Sequence, residues 1–276
     1  MPPKLPEPTG NLENLWKVFE DFQPPPMKLP AWATLLELGQ DLIKVNAAAS
    51  RKLEALQSRW DEHLNGIGGD PSRHDWTDFR PLRLSREEDW SDWLAHLIQT
   101  SADPTWWRHL FGSSENGKLR KVHREVSTKD NYRADIIIEN VNGDSTHIEV
   151  KLWDQSFEKT FPTALSLQNN EKPWTHRILL PRENLNAWET IVPKKGDPVI
   201  GAVTWNQLVI ALRQCLMSGL ESVTWKVWAR TYIGAIEQTI LGIPHLPKEA
   251  GLQPRQINKI FMFLQILEEG TIHEKK

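Results

Sequence analysis

Asp135, Glu149 and Lys151 are the residues of this chain whose types and spacing suit chemistry. Around them the sequence runs Arg-Ala-Asp-Ile-Ile-Ile-Glu, then Asn-Val-Asn-Gly-Asp, then Ser-Thr-His-Ile-Glu-Val-Lys. Two β-rich runs, 134–139 and 146–152, flank a turn-forming cluster at 140–145, so the stretch is predicted to be a hairpin. Side chains alternate faces along a strand. His147, Glu149 and Lys151 therefore share one face, and Ile148, Val150 and Leu152 the other. A two-residue loop at Asn142-Gly143 would pair Asp135 with Val150 and separate the carboxylates. A loop of three or five residues, with Gly143 in the left-handed region, would set Asp135 opposite Glu149. The odd loop is the expectation adopted here, because the chemistry depends on it. Two carboxylates and a lysine on a buried face are costly unless something pairs them. A divalent cation would do so: Mg²⁺ binds through one or two carboxylates, keeps several waters and accepts phosphate oxygens. The lysine would orient an attacking water or neutralise charge developing on phosphorus.

Asp135 followed by Glu149-Val150-Lys151 resembles the active-site signature of the PD-(D/E)XK nuclease superfamily, with Ala134 in place of that family's proline. The resemblance covers roughly residues 80–215. It implies an α/β, restriction-endonuclease-like core, a mixed central sheet flanked by helices. It also implies one or two Mg²⁺ or Mn²⁺ ions held by Asp135, Glu149 and the main-chain carbonyl of Val150. A helix before the sheet carries a further glutamate toward the metal in that family. Here Glu87 lies near the centre of the apolar face set by Trp90, Leu94, Leu97 and Ile98, so the role is carried to Glu87. Glu88 is the runner-up, expected to close a capping box with Ser85. The implied activity is metal-dependent endonuclease cleavage of DNA, with RNA left open, in a restriction or phage-defence role. The alternative is an inactive module of the same fold that binds nucleic acid or a protein partner.

The basic residues nearest this stretch are Lys118, Arg120, Lys121, Arg124, Lys129 and Arg133, with Lys159 beyond it. Those before Asp135 accompany a predicted strand at 121–126, and their position favours phosphate contact. A local patch is needed, because a net charge of −3 excludes a globally basic nucleic-acid binder. The single cysteine, Cys215, excludes an intrachain disulfide framework and a cysteine-rich zinc site, and fits a reducing cytoplasm. No leader and no apolar run of membrane-spanning length is read from the sequence.

Around the site, helices are predicted at 31–64, 84–100, 156–168 and 205–218, with Pro162 bending or breaking the third, and strands at 176–180 and 199–204. Three segments follow: a Pro-rich arm and long helix over 1–75, a nuclease-like core over 76–218, and a C-terminal helical extension over 219–276. The Ala31–Leu64 helix carries a narrow apolar seam, Leu35, Leu42, Ala49 and Leu56 with Leu38, Val45, Leu53 and Trp60. That seam suits either the chain's own core or a second copy in a homodimer.

Overall fold

The computed structural model describes residues 32–76, 84–113, 118–153, 156–168, 172–246 and 257–272. The Pro-rich arm therefore lies outside the described residues, as does the Pro247–Gln256 connection. The chain divides into two compact units, Met1–Ala47 and Ala48–Lys276.

The larger unit is α/β, built on a five-stranded mixed sheet of order β1-β2-β3-β4-β5. The strands are β1 (Leu119–Ser127), β2 (Arg133–Asn140), β3 (Ser145–Val150), β4 (Trp174–Leu180) and β5 (Ile200–Thr204). The first three pair antiparallel, and β3, β4 and β5 pair parallel. The helices are α1 (Trp32–His63), α2 (Glu87–Thr100), α3 (Thr105–Phe111), α4 (Thr160–Leu167), α5 (Leu185–Glu189), α6 (Trp205–Ser218), α7 (Val223–Ala235) and α8 (Ile257–Gly270). A π-helical turn, Ile236–Ile240, continues α7.

The run Ile136-Ile137-Ile138 is buried throughout, as expected of a strand covered on both faces. Ile136 and Ile138 join Ile148, Val150, Leu179 and Val203 in the main core, with Trp90, Trp205, Trp225 and Tyr232 from α2, α6 and α7. Two indole and phenol groups in this layer keep their polar atoms satisfied: Trp225 Nε1 donates to Leu97 O at 2.9 Å, and Tyr232 donates to Trp90 O at 2.8 Å. The opposite face carries a smaller cluster, Phe157, Ile178, Leu180 and Trp188, with Phe161 stacked on Trp188. Phe263, Leu264 and Leu267 of α8 are buried in the main core, so the C-terminal helices share it with the sheet.

Two local expectations are corrected. The α2 cap does not close through Ser85 and Glu88. The helix begins at Glu87, and Asp89 Oδ2 accepts from the Ser85 and Arg86 N–H groups at 3.0 and 2.9 Å. The shorter aspartate reaches back to the N–H groups of the N-cap and the residue before it, which leaves Glu88 for an ion pair with Arg133. Pro162 neither bends nor breaks its helix. That helix starts at Thr160, so the proline lies in the first turn, where its missing N–H costs nothing.

The α1 seam divides along its length. Ala49, Leu53 and Trp60 are buried in the main core, with Leu56 packed against it, whereas Leu38, Leu42 and Val45 are more than half exposed.

Gly234 of α7 lies against the Trp76 indole, so closely that a Cβ would overlap the ring. Trp76 cannot move away freely, since its Nε1 donates to Pro71 O at 2.6 Å and its N–H to Gln238 Oε1 at 2.8 Å. Alanine normally favours a helix over glycine by about 1 kcal/mol. At this position Gly234→Ala is expected to destabilise by about 1–3 kcal/mol, visible as a lower thermal midpoint. A raised midpoint would show that the indole has room to shift.

Candidate active site

The hairpin has odd parity. The β2–β3 ladder pairs Ile136 with Ile148 and continues to Glu139 and Ser145, leaving five residues between the last pair. Gly143 takes φ +92°, the conformation the turn demands, and Asn140 N–H donates to Asp144 O at 3.0 Å. The register places Asp135 opposite Glu149 on the face away from the tryptophan-rich core. Val150 N–H donates to Asp135 Oδ2 at 2.7 Å. In a strand the N–H and C=O of one residue point the same way, so the Val150 carbonyl is also directed toward β2.

Lys151 follows the end of β3, and its Nζ lies 3.2 Å from Glu149 Oε1. Its backbone is fixed on both sides: its N–H donates to Leu179 O at 2.8 Å, and its carbonyl accepts from Trp205 Nε1 at 2.9 Å. Glu87 comes in from the first turn of α2, and its Oε1 accepts from Leu152 N–H at 2.9 Å. Glu88 faces elsewhere, toward Arg133 at 2.8 Å. The two glutamates thus take separate partners, and it is Glu87 that reaches the end of the hairpin.

The electrostatics separate the two central carboxylates. Burial and the facing Glu149 charge push Asp135 up to about 8, against the pull of the Val150 N–H and Lys151. Burial also acts to raise Glu149, but His147 and Lys151 beside it more than offset this and hold it below the ordinary carboxylate range. Burial acts to lower Lys151, yet Glu149, Glu87 and Asp135 together hold it above the usual lysine value. Lys151 is therefore a firm ammonium ion. It can orient a water and neutralise negative charge, but it is poorly suited to act as a proton acceptor.

Two features of this face escaped sequence reasoning. His147 and His176 are register partners on β3 and β4, both buried, with Nδ1 atoms 3.3 Å apart. His147 Nε2 lies 3.6 Å from Glu149 Oε2, so the imidazole flanks the carboxylate on the side away from Lys151. Burial and the neighbouring His147 push His176 down to about 4, so it is neutral at physiological pH. The second feature is Glu125. The β1–β2 register pairs Arg124 with Ile136 and Val126 with Ala134, which sets Glu125 opposite Asp135. The strand at 121–126 was legible, but its register against β2, which brings Glu125 to Asp135, was not.

The basic residues divide into two groups. Arg124 is ion-paired with Asp92 on α2, and Arg133 with both Glu125 (2.6 Å) and Glu88 (2.8 Å). These two brace the hairpin against α2. Lys118, Arg120, Lys121, Lys129 and Lys159 are exposed, with no ion pair among the described residues.

The carboxylate face carries oxygens that a divalent cation could use. Glu149 Oε2 and Glu125 Oε1 are buried without a hydrogen-bond partner, and Asp135 faces Glu149 with its proton retained. Among the described residues no cluster of three or more His, Cys, Asp or Glu side chains is arranged to hold a metal. A cation here would draw on two carboxylates and complete its shell with water and substrate oxygens, the pattern that Mg²⁺ accepts.

The raised Asp135 carries a stability consequence with a definite sign. A carboxyl whose folded value is raised to about 8 makes folding take up a proton above the ordinary aspartate range. The stabilisation from that proton is present below the ordinary range and lost as pH rises through about 8. Asp135→Asn, measured by urea denaturation in EDTA, is expected to flatten this fall and to exceed wild type in stability at pH 9. A tenfold difference in proton affinity between the folded and unfolded chain is worth about 1.4 kcal/mol. An unchanged slope for the variant would mean that Asp135 is ionised in the metal-free fold.

Among the described residues no helix is long and apolar enough to cross a membrane. Comparison of the chain with protein-family models, with curated proteins and with solved structures gives no match in any of the three.

Proposed function

We propose that this chain is a metal-dependent nuclease of the PD-(D/E)XK kind, with a restriction-endonuclease-like core and DNA as its substrate. The observation that carries the reading is the meeting of Asp135 and Glu149 on one sheet face, with Lys151 against Glu149 and Glu87 at the end of the hairpin. Asp135, Glu149 and the Val150 carbonyl would hold Mg²⁺ or Mn²⁺. When bound, the cation supplies Lewis acidity, lowering the pKa of a coordinated water and clamping the phosphate oxygens.

The chain's own groups do the rest. The Lys151 ammonium orients the attacking water and neutralises charge that builds on the phosphate. His147, backed by His176, limits the freedom of Glu149 from the other side. Lys118, Arg120, Lys121, Lys129 and Lys159 would hold the flanking phosphates, which fixes the strand without reading its sequence.

The test is cleavage of supercoiled plasmid, single-stranded DNA and RNA with Mg²⁺, with Mn²⁺ or with EDTA. Cutting of DNA that depends on either cation and stops in EDTA is the expected result. Absence of cutting on every substrate, with tight DNA binding retained, would favour an inactive binding module of the same fold.

A further inference from the structure

Two open cavities lie side by side along α6, away from the carboxylate face. One, of about 620 Å³, is bounded by α5, the end of β5, α6 and α8. The other, of about 750 Å³, is bounded by α3, α6 and α8. They share Gln207, Ile210 and Glu269, so they form one groove. Its floor is a single ridge of α6: Gln207, Ile210, Ala211, Gln214 and Ser218. At about 1.5 Å per residue this ridge runs roughly 17 Å, about three turns of a partner helix. Leu220, 66% exposed, extends the apolar surface at one end.

The charge at the rim is one-sided. Among the described residues Asp103, Glu189 and Glu269 line the groove, against Arg182 as the one lysine or arginine, with His109 at the other end. The apolar surface comes from the flanks, Trp188, Met262 and Ile266 on one side and Trp106, Leu110 and Leu220 on the other, while the floor mixes Ile210 and Ala211 with amide and hydroxyl groups. Apolar flanks with an acidic rim suit an amphipathic helix that lays its apolar face down and carries basic residues along its edges. Nucleic acid is disfavoured, because the phosphates would meet three carboxylates. A second copy is also disfavoured. The exposed apolar stretch of α1, residues 36–45, carries Glu37 and Asp41 against Lys44, which would set acid against acid.

We propose that the groove along α6 is the docking site for a basic amphipathic helix of a partner protein. The site is separate from the carboxylate face and does not depend on the nuclease reading.

The probe is a fluorescein-labelled helical peptide of about five turns, built of Leu and Lys with leucines at i, i+3, i+4 and i+7. A twin carries Glu in place of Lys. Each is titrated with the full chain at physiological salt and read by fluorescence anisotropy. The Leu/Lys peptide is expected to bind at least tenfold more tightly than its twin. Glu189→Lys combined with Glu269→Lys should reverse that preference. Glu54→Lys combined with Glu62→Lys, two exposed carboxylates outside the groove, should leave it unchanged.

If the reversed variant does not fold, neutral Glu189→Gln with Glu269→Gln should still weaken the Leu/Lys peptide at least threefold. Equal binding of the two peptides overturns the proposal. So does an equal effect of the on-groove and off-groove reversals, which would mean general attraction to a net-negative chain. A labelled DNA duplex that binds the wild-type chain and loses binding in Gln207→Glu combined with Gln214→Glu, on the groove floor, would also overturn it and assign the groove to nucleic acid.

Discussion

Lys151→Ala is expected to slow single-turnover DNA cleavage by about a thousandfold, the upper end for loss of one preorganised charge-stabilising group. Thermal stability in Mg²⁺ and DNA affinity should stay near wild type. Lys151 is held as a cation by Glu149, Glu87 and Asp135, while its backbone is tied to Leu179 and Trp205. Truncation therefore removes a charge without releasing the strand end. The charge matters most where negative charge grows on phosphorus, so its loss should appear in the rate of the chemical step. Lys151→Arg should recover little, because a planar guanidinium cannot occupy the position of a compact ammonium. Cleavage by the alanine variant within a few-fold of wild type would remove Lys151 from the mechanism. It would leave the carboxylate pair and its cation as a separate question.

What the sequence made legible here was local. The hairpin and the face of each side chain followed from strand alternation and one glycine, properties of neighbouring residues; the odd parity was chosen by the chemistry of the two carboxylates, and the β2–β3 register has it. The placement of Glu87 followed from helical periodicity, since a carboxylate at the centre of an apolar face must find a polar partner, here the Leu152 N–H. The groups that had to be discovered were those joined across long separations. His147 meets His176 only because β3 and β4 pair in parallel, and a parallel crossover leaves no turn from which to count a register. Glu125 sits opposite Asp135 through a β1–β2 pairing that the alternation of either strand alone does not fix. Arg124 and Arg133 had the composition of a phosphate-binding run, yet both are engaged by carboxylates on α2 or β1. Composition counts the cations; only the fold decides which remain free. Of the α1 seam, Ala49, Leu53, Leu56 and Trp60 meet the core, which the unbroken sequence period of the helix does not single out.

The same limit explains the second large effect, expected at Arg213. This residue is fully buried on α6, where its Nε donates to Glu237 Oε1 at 2.8 Å and its Nη2 to Asp70 Oδ1 at 3.2 Å. Its guanidinium also lies over the Trp60 ring, 4.6 Å from the centroid, and 5.5 Å from that of Phe263. Burial acts to lower Arg213, but the two carboxylates hold it above the usual arginine value. Burial pushes Glu237 up to about 7 despite the arginine.

Removing the cation alone would leave Asp70 and Glu237 buried together without compensation. Arg213→Met is therefore expected to cost about 3–5 kcal/mol, enough to unfold a marginal domain. The pH dependence identifies the cause. Without Arg213 the Glu237 carboxyl loses the cation that opposes its raised value and is protonated more readily in the folded chain, so the variant's stability must fall as pH rises. The deficit against wild type should narrow in acid. Adding Asp70→Asn and Glu237→Gln to Arg213→Met should recover much of the loss at neutral pH, since no buried charge then remains. If denaturation titrations from pH 5 to 8 show a constant deficit, and the triple variant recovers nothing, then Arg213 acts through its packing against Trp60 and Phe263.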